Sequence, residues 1–371
     1  MATRPSVNRT TGQLVAEALR HAWRNSTCDG DVSPVSHAQD ARATPLNLSL
    51  TDFDVVTPLL YNSGAAGLGW WCIRDTELSS TAPGELLHQG FRLLTLEARI
   101  HEQRIKRIFR ALRAGNIEPI LIKGWSVARR YPQIGLRPFG DIDLLVRPQQ
   151  HLQAEWIAGS EELRDCPTDI HPGAFEVSDR SVEDLFARSR LVTCDDEQVR
   201  VLSDEDQFAL SAIHLLKHAA WRPLWLCDLA LFLESMSAEF DWDLCLGPDA
   251  RRANWILSAV GLARDLLGAS IRNERINRLA VSPDWLVETV LRNWEKPFAT
   301  KHEPHNHAAP MLTYLRRPRG VLKDLKCRWP NPILATVCVN GTFGSRQRRR
   351  YQLRNCLQRT AHLVRSAAEP A

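Results

Sequence analysis

Two carboxylates one residue apart, Asp141-Ile142-Asp143, open a run that continues as Leu144-Leu145-Val146. Side chains alternate faces along a strand, so Asp141 and Asp143 point the same way while Ile142 points into the core. Two acids on one face repel each other unless a cation lies between them, and hard divalent metals take carboxylate oxygens. Upstream, Ile120-Leu121-Ile122 reads as a short buried strand that ends in a turn carrying Lys123 and Gly124. A Gly135-Leu136-Arg137-Pro138-Phe139-Gly140 loop precedes the second strand. Lys123 as a point charge and Arg137 as a planar fork both suit phosphate oxygens. Two metals bridged by carboxylates can stabilise both the attacking and the leaving oxygens of an in-line phosphoryl displacement.

A strand-turn glycine followed by an Asp-x-Asp strand resembles the nucleotidyltransferase superfamily that includes DNA polymerase beta. The fuller wording, Leu121-Ile-Lys-Gly124 and then Gly135-Leu-Arg-Pro-Phe-Gly-Asp-Ile-Asp-Leu-Leu-Val146, is similar to one poorly characterised bacterial family within it. The close match covers residues 119–148, with a looser echo to residue 234 through His214-x-x-Lys217-His218 and Cys227-Asp228-Leu-Ala230. Trp125 stands where the superfamily usually has a small residue after the glycine, a substitution the narrower family tolerates. The resemblance implies an α+β fold, with a small mixed β-sheet flanked by helices and a largely helical C-terminal half. It implies Mg2+-dependent transfer of a nucleoside monophosphate from an NTP, with two ions on the strand acids and Mn2+ able to replace them. Lys123, Gly124, Ser126 and Arg137 are then the nucleotide-binding residues, and a helical domain closes over an acceptor that the sequence does not name.

A metal site of this kind takes a third carboxylate from a neighbouring strand, which also accepts the proton of the attacking hydroxyl. Asp169 fits best: in Pro167-Thr-Asp-Ile-His171 it alternates with His171 around Ile170, and the resemblance places an acid-apolar-His step here. A turn after Pro167 is the competing role for Asp169. Glu176, in Ala174-Phe-Glu-Val177, is the runner-up on the same alternation. Asp141, Asp143 and Asp169 therefore form the expected catalytic and metal-binding set. His171 reads as an orienting or plain strand histidine, because imidazole suits softer metals than Mg2+. His214 and His218 stand four apart on one helix face, and Asp228 is embedded in an apolar run. A buried Asp228 must find donors, which points to His214, His218 or Arg222 and places all of these near the acceptor.

The elements that carry these residues follow from periodicity. From Gly84 to Ala114, Leu87, Phe91, Leu94, Ala98, Ile105, Ile108 and Leu112 keep three- and four-residue steps, while Leu96 and Ile100 fall off that stripe. This is a long helix delivering the chain through Gly115 to the first strand. Ser203 followed by Asp204-Glu205-Asp206 starts another helix, with acids where the helix dipole favours them. Gly64-Ala-Ala-Gly67-Leu-Gly69 follows no strand and is not read as a phosphate loop. The expected organisation is a flexible lead-in over 1–45 with one helix-like stretch from Gln13 to Trp23, a sheet domain with preceding helices over 46–200, a helical domain over 201–300 and a basic region over 301–371.

With 371 residues, 44% hydrophobic and 24% charged, the chain reads as an ordinary soluble protein with room for two or three packed units. Its opening residues are polar and no apolar run approaches a membrane span, so a cytoplasmic location is expected. Nine scattered cysteines without a Cys-x-x-Cys pair argue for reduced thiols and against structural zinc. From Arg316 onward 13 Lys and Arg face 2 Asp and Glu, leaving that segment at +11 in a chain of net +4. It reads as a solvated basic helix with Leu353, Leu357 and Leu363 inward. A His-rich stretch, His302, His305 and His307, reads as a linker. The alternative to an enzyme is a catalytically inactive nucleotidyltransferase fold serving as a binding module that contacts nucleic acid through the basic C-terminus.

Overall fold

A computed structural model describes residues 9–20, 22–24, 48–296, 329–344 and 346–368. The two motif strands, β1 (Ile120–Leu121) and β2 (Ile142–Leu145), pair antiparallel at the centre of a five-stranded mixed sheet. β3 (Thr168–His171) adds parallel to β2, β5 (Glu197–Val201) adds parallel to β1, and β4 (Arg190–Cys194) pairs antiparallel with β5 at the far edge. Ile120, Leu121, Ile142, Leu144 and Leu145 are buried, so the central strands are apolar wherever they do not carry chemistry. The fold is the expected α+β arrangement of a small mixed sheet among helices.

Helix α4 (Ala82–Ala114) is capped by Thr81, whose hydroxyl accepts from the Gly84 amide. Its stripe of Leu87, Ala98, Ile105, Ile108, Phe109 and Leu112 is buried, and Leu96 and Ile100 face solvent, as the spacing predicts. The C-terminal half of α4 covers the sheet together with α6 (His151–Ala158). Lys106 and Arg110 on α4 hold the β4–β5 turn through ion pairs to Asp195, Asp196 and Glu197.

A larger, helical core lies beside the sheet. It joins α8 (Asp204–Lys217), α9 (Pro223–Ser235), α11 (Ala250–Leu267) and α13 (Asp284–Trp294) with three helices from before the sheet, α1 (Thr11–Leu19), α2 (Leu50–Asn62) and α3 (Ala66–Ile73). Helices from before the sheet thus share one buried cluster with helices from beyond residue 201. Within the expected lead-in, Leu14, Val15, Leu19 and Trp23 are buried, and the Trp23 indole donates to Glu234 at 2.8 Å. The apolar face of α1 is covered by α13 and α2, which local sequence does not reveal. Residues 25–45 of that expected lead-in lie outside the described residues. Gly67 and Gly69 sit inside α3.

The C-terminal helix departs from the expected rotation. α14 (Pro332–Cys338) and α15 (Arg348–Ala368) pack together, but α15 turns Gln352 and Asn355 inward. Leu353 and Leu357 are 53% and 71% exposed. The Gln352 amide donates to the Pro330 carbonyl at 2.8 Å, and that polar dock fixes the rotation of the helix. The side chain of Leu363 and the stretch with His302, His305 and His307 lie outside the described residues. Among those residues no helix is long and apolar enough to cross a membrane, and the cysteines, among them Cys166, Cys194, Cys227 and Cys245, are free thiols.

Candidate active site

The β2–β3 register sets Asp143 beside Asp169 and Leu145 beside His171. In parallel strands, neighbours in register face the same side, and His171, two residues beyond Asp169, shares that face. The His171 Nε2 lies 3.1 Å from Asp143 Oδ1 and 3.3 Å from Asp169 Oδ2. One donor atom from each of Asp143, Asp169 and His171 fits within 4.8 Å of the others. Asp143 is largely covered, whereas Asp169 is 64% exposed at its side chain and open to an incoming group. Asp141 is exposed just ahead of β2 and stands outside this group. Of the three acids expected from the sequence, the fold brings Asp143 and Asp169 together, and His171 lies with them.

The donor chemistry fits a divalent cation. Burial would raise the Asp143 pKa, but the His171 hydrogen bond and the charge and hydrogen bond of Lys123 outweigh it and hold the carboxyl below its ordinary value. The Lys123 ammonium sits 3.1 Å from Asp143 Oδ1, so positive charge already gathers where a metal would add more.

Lys123 and Gly124 are placed by the turn after β1. Gly124 has φ +61°, a conformation that disfavours a side chain, and a Cβ there would press on Phe139 and on the Asp141 carbonyl. Trp125 begins the short α5 (Trp125–Ala128), and its indole donates to Glu102 of α4 at 3.1 Å. The Ser126 hydroxyl is buried and bonded to Gln207 at 3.0 Å, while the Gln207 amide donates to the Ile122 carbonyl at 2.9 Å. Gln207 therefore ties α8 to the turn that carries Lys123.

The next loop is fixed just as firmly. Gly135, at φ +90°, lies where a Cβ would collide with Thr95 of α4. Arg137 reaches into the interior and forks onto Asp228 of α9, with contacts of 2.9 and 3.3 Å, while the Tyr131 hydroxyl donates to the same carboxylate at 2.8 Å. The expected partners of Asp228, His214, His218 or Arg222, are not the ones it has. The Arg137 fork offers a bidentate match, and Arg222 instead bonds the Ser63 carbonyl at 2.8 Å.

A small cavity of about 30 Å³ lies between Lys123, Gly124 and Arg137 on one side and Ser211, His214, Trp225 and Asp228 on the other. Glu176 stands behind His214, its Oε1 3.5 Å from Nδ1, too long for a tight hydrogen bond but close enough for charge to act. It lies in a 3-10 turn (Phe175–Val177) and not in a strand, because Pro172 and Gly173 end β3. Burial would raise the Glu176 pKa, yet His214, Lys123 and Lys217 bring it down to about 2. Burial first, and His214 next, depress His218 to about 4, and burial lowers Lys217 to about 8. The His214 ring lies 4.4 Å from His218 and 4.8 Å from Trp225. On the other side of Arg137 a wider cleft of about 210 Å³ is lined by Arg99, Trp125, Arg129, Tyr131 and Phe139.

Sequence reasoning missed Gln207, Tyr131, Trp225 and Lys217 as parts of this region. Gln207 carried a signal, being a polar side chain on the buried face of an amphipathic helix, where it must find a partner. Lys217 stood between the two histidines already singled out. Tyr131 and Trp225 read as core aromatics and gave no such signal.

A family model described as an uncharacterised nucleotidyltransferase matches residues 49–165 and 160–267, more than half of the chain and all of the elements that build the site. No curated protein and no solved structure matches the chain.

Proposed function

The chain belongs to this family of uncharacterised nucleotidyltransferases, and from that premise we propose that it transfers a nucleoside monophosphate from an NTP to a hydroxyl or phosphate acceptor. The observation that carries the reading is the meeting of Asp143, Asp169 and His171 on one face of adjacent strands, beside a lysine and within a nucleotidyltransferase match. In the reaction an acceptor oxygen bonds to the α-phosphorus, the bond to the bridging oxygen of the β-phosphate breaks, and pyrophosphate leaves. Asp143 and Asp169 are the residues to hold Mg2+, with Asp141 at the open end of the same strand face. The bound ions would neutralise charge on the reacting phosphate and on the leaving group.

The protein's own groups divide the remaining work. Lys123 supplies a point charge for phosphate oxygens, and the Gly124 turn lets backbone approach them. Asp169, the exposed carboxylate, accepts the proton of an acceptor hydroxyl. Glu176 keeps His214 oriented at the cavity on the acceptor side. Arg137 holds the loop that presents Asp141 and Asp143 by its pair with Asp228.

Thermal shifts with ATP, GTP, CTP and UTP, each with and without Mg2+, test the proposal, followed by transfer from labelled NTPs into candidate acceptors. Stabilisation by an NTP that requires the metal and disappears in Asp143→Asn is expected. Equal melting temperatures under all these conditions would remove the basis for the reading.

A further inference from the structure

The donor set at the strand acids is not the all-oxygen set that suits Mg2+ best. From the geometry we infer that His171 is itself a metal ligand and that the site is an Asp-Asp-His site selective for a first-row transition dication such as Mn2+ over Mg2+. The inference rests on the nucleotidyltransferase reading only in taking the same strand face as the metal site.

Three observations carry it. The His171 Nε2 bridges the two carboxylates at 3.1 and 3.3 Å, occupying the position from which a ligand atom would complete a triangle with them. The three donor atoms lie within 4.8 Å of one another, whereas Asp141, the residue that would make the set all oxygen, is not part of that group. The placement is also built in by the backbone. Asp143 pairs with Asp169 in the parallel register, and His171 follows on the same face of β3 before Pro172 and Gly173 end the strand, so the backbone itself directs the imidazole to the face of the two carboxylates. Carboxylate suits Mg2+ and Mn2+ alike, and affinity for nitrogen rises along the first-row transition ions from Mn2+ onward, so adding an imidazole favours Mn2+ over Mg2+. Mg2+, which dehydrates reluctantly and demands oxygen in near-ideal octahedral positions, gains least from a nitrogen.

The test uses the full chain and Mn2+ alone, without nucleotide. Pulsed electron paramagnetic resonance on bound Mn2+ should show modulation from a directly coordinated imidazole nitrogen, and His171→Gln should abolish it. In competition titrations that follow free Mn2+, His171→Asp should still bind metal but lose preference for Mn2+ over Mg2+ by at least about tenfold, since even groups outside the ligand sphere cost about 10- to 100-fold in metal affinity when replaced. Circular dichroism on both variants establishes that the fold persists. Mn2+ bound through Asp143 without nitrogen modulation, or with modulation that survives His171→Gln, would overturn the inference while leaving the strand acids as the metal site. If neither ion binds without nucleotide, or binding is indifferent to Asp143→Asn, the inference fails, while the nucleotidyltransferase reading stands or falls with metal-dependent stabilisation by an NTP.

Discussion

Asp228→Asn is the change that most directly asks what Arg137 is for. In the structure the Arg137 and Asp228 side chains are 9% and 4% exposed, and the carboxylate accepts from Arg137 Nε, Arg137 Nη2 and the Tyr131 hydroxyl. An asparagine offers one oxygen and one NH2 group, so a donor that now meets Oδ1 or Oδ2 would face another donor, and the guanidinium would be left in the interior with no counter-charge. Removing one partner of a buried ion pair costs about 3–5 kcal/mol, because the surviving charge keeps its desolvation penalty. Urea unfolding of the wild type and Asp228→Asn, compared at equal m, reads this loss as a lower midpoint. The double variant Arg137→Met with Asp228→Leu removes both charges and should recover much of the stability, as apolar replacements of buried pairs do. Metal-dependent NTP binding should weaken in Asp228→Asn as well, since the loop from Gly135 to Asp143 loses its anchor. The reasoning is refuted if Asp228→Asn stays within about 1 kcal/mol of wild type, or if Arg137→Met leaves stability untouched and reduces NTP affinity alone. That second outcome would return Arg137 to the phosphate.

Three further outcomes are expected. Asp143→Asn should lower metal-dependent transfer at least about 100-fold and Asp141→Asn less, because an amide binds a hard dication far less well and only Asp143 is in the donor group; equal losses in the two variants would put Asp141 in the metal site. Stability should fall on acidification in two overlapping steps. His218, held to about 4 against an ordinary 6.5, takes up its proton more readily when unfolded, so its contribution is lost as pH falls from 6.5 toward 4. Glu176, held to about 2 against 4.5, contributes about 3 kcal/mol above the ordinary value that is lost as pH falls through 4.5 toward 2; a Glu176→Gln profile as steep as wild type below pH 4.5 contradicts this assignment. Replacing Leu353 and Leu357 by Lys should change stability by less than about 0.5 kcal/mol, because both are exposed, and RNA binding in a filter assay should stay weak and steeply salt-dependent; tight RNA binding lost on removal of residues 346–371 would favour the binding-module alternative.

Where local spacing carries the information, the sequence and the structure agree. The long helix was legible because its apolar steps repeat over many turns, and its off-stripe residues Leu96 and Ile100 are the exposed ones. β2 and β3 were legible because period-two alternation separates apolar from acidic residues. The β4–β5 hairpin was not read. Its outward positions are polar and half-covered, and its turn is held by Lys106, Arg110 and their acids, pairs about 90 residues apart in the chain. The rotation of α15 failed for a related reason. Leucine spacing predicts a buried face only if something apolar lies opposite, and what lies opposite is the Pro330 carbonyl that takes the Gln352 amide.

The site divides along the same line. Asp143, Asp169 and His171 come together because a two-residue spacing within β3 meets a parallel register with β2; residue type and strand period contain the spacing, but the register that leaves Asp141 outside the group comes from the fold. The partner of Arg137 is another matter. A guanidinium presents the same fork to a phosphate and to a carboxylate, so residue type alone cannot choose between a ligand and Asp228, 91 positions further along. Only the fold, by packing α9 against the loop, makes the internal acid the nearer one. Once Asp228 neutralises Arg137, the positive charge facing the strand acids comes from Lys123 and from whatever cation the acids hold. In the proposed reaction, nucleotide affinity should therefore follow metal occupancy and Lys123, and Lys123→Ala should raise KM for NTP more than it lowers kcat.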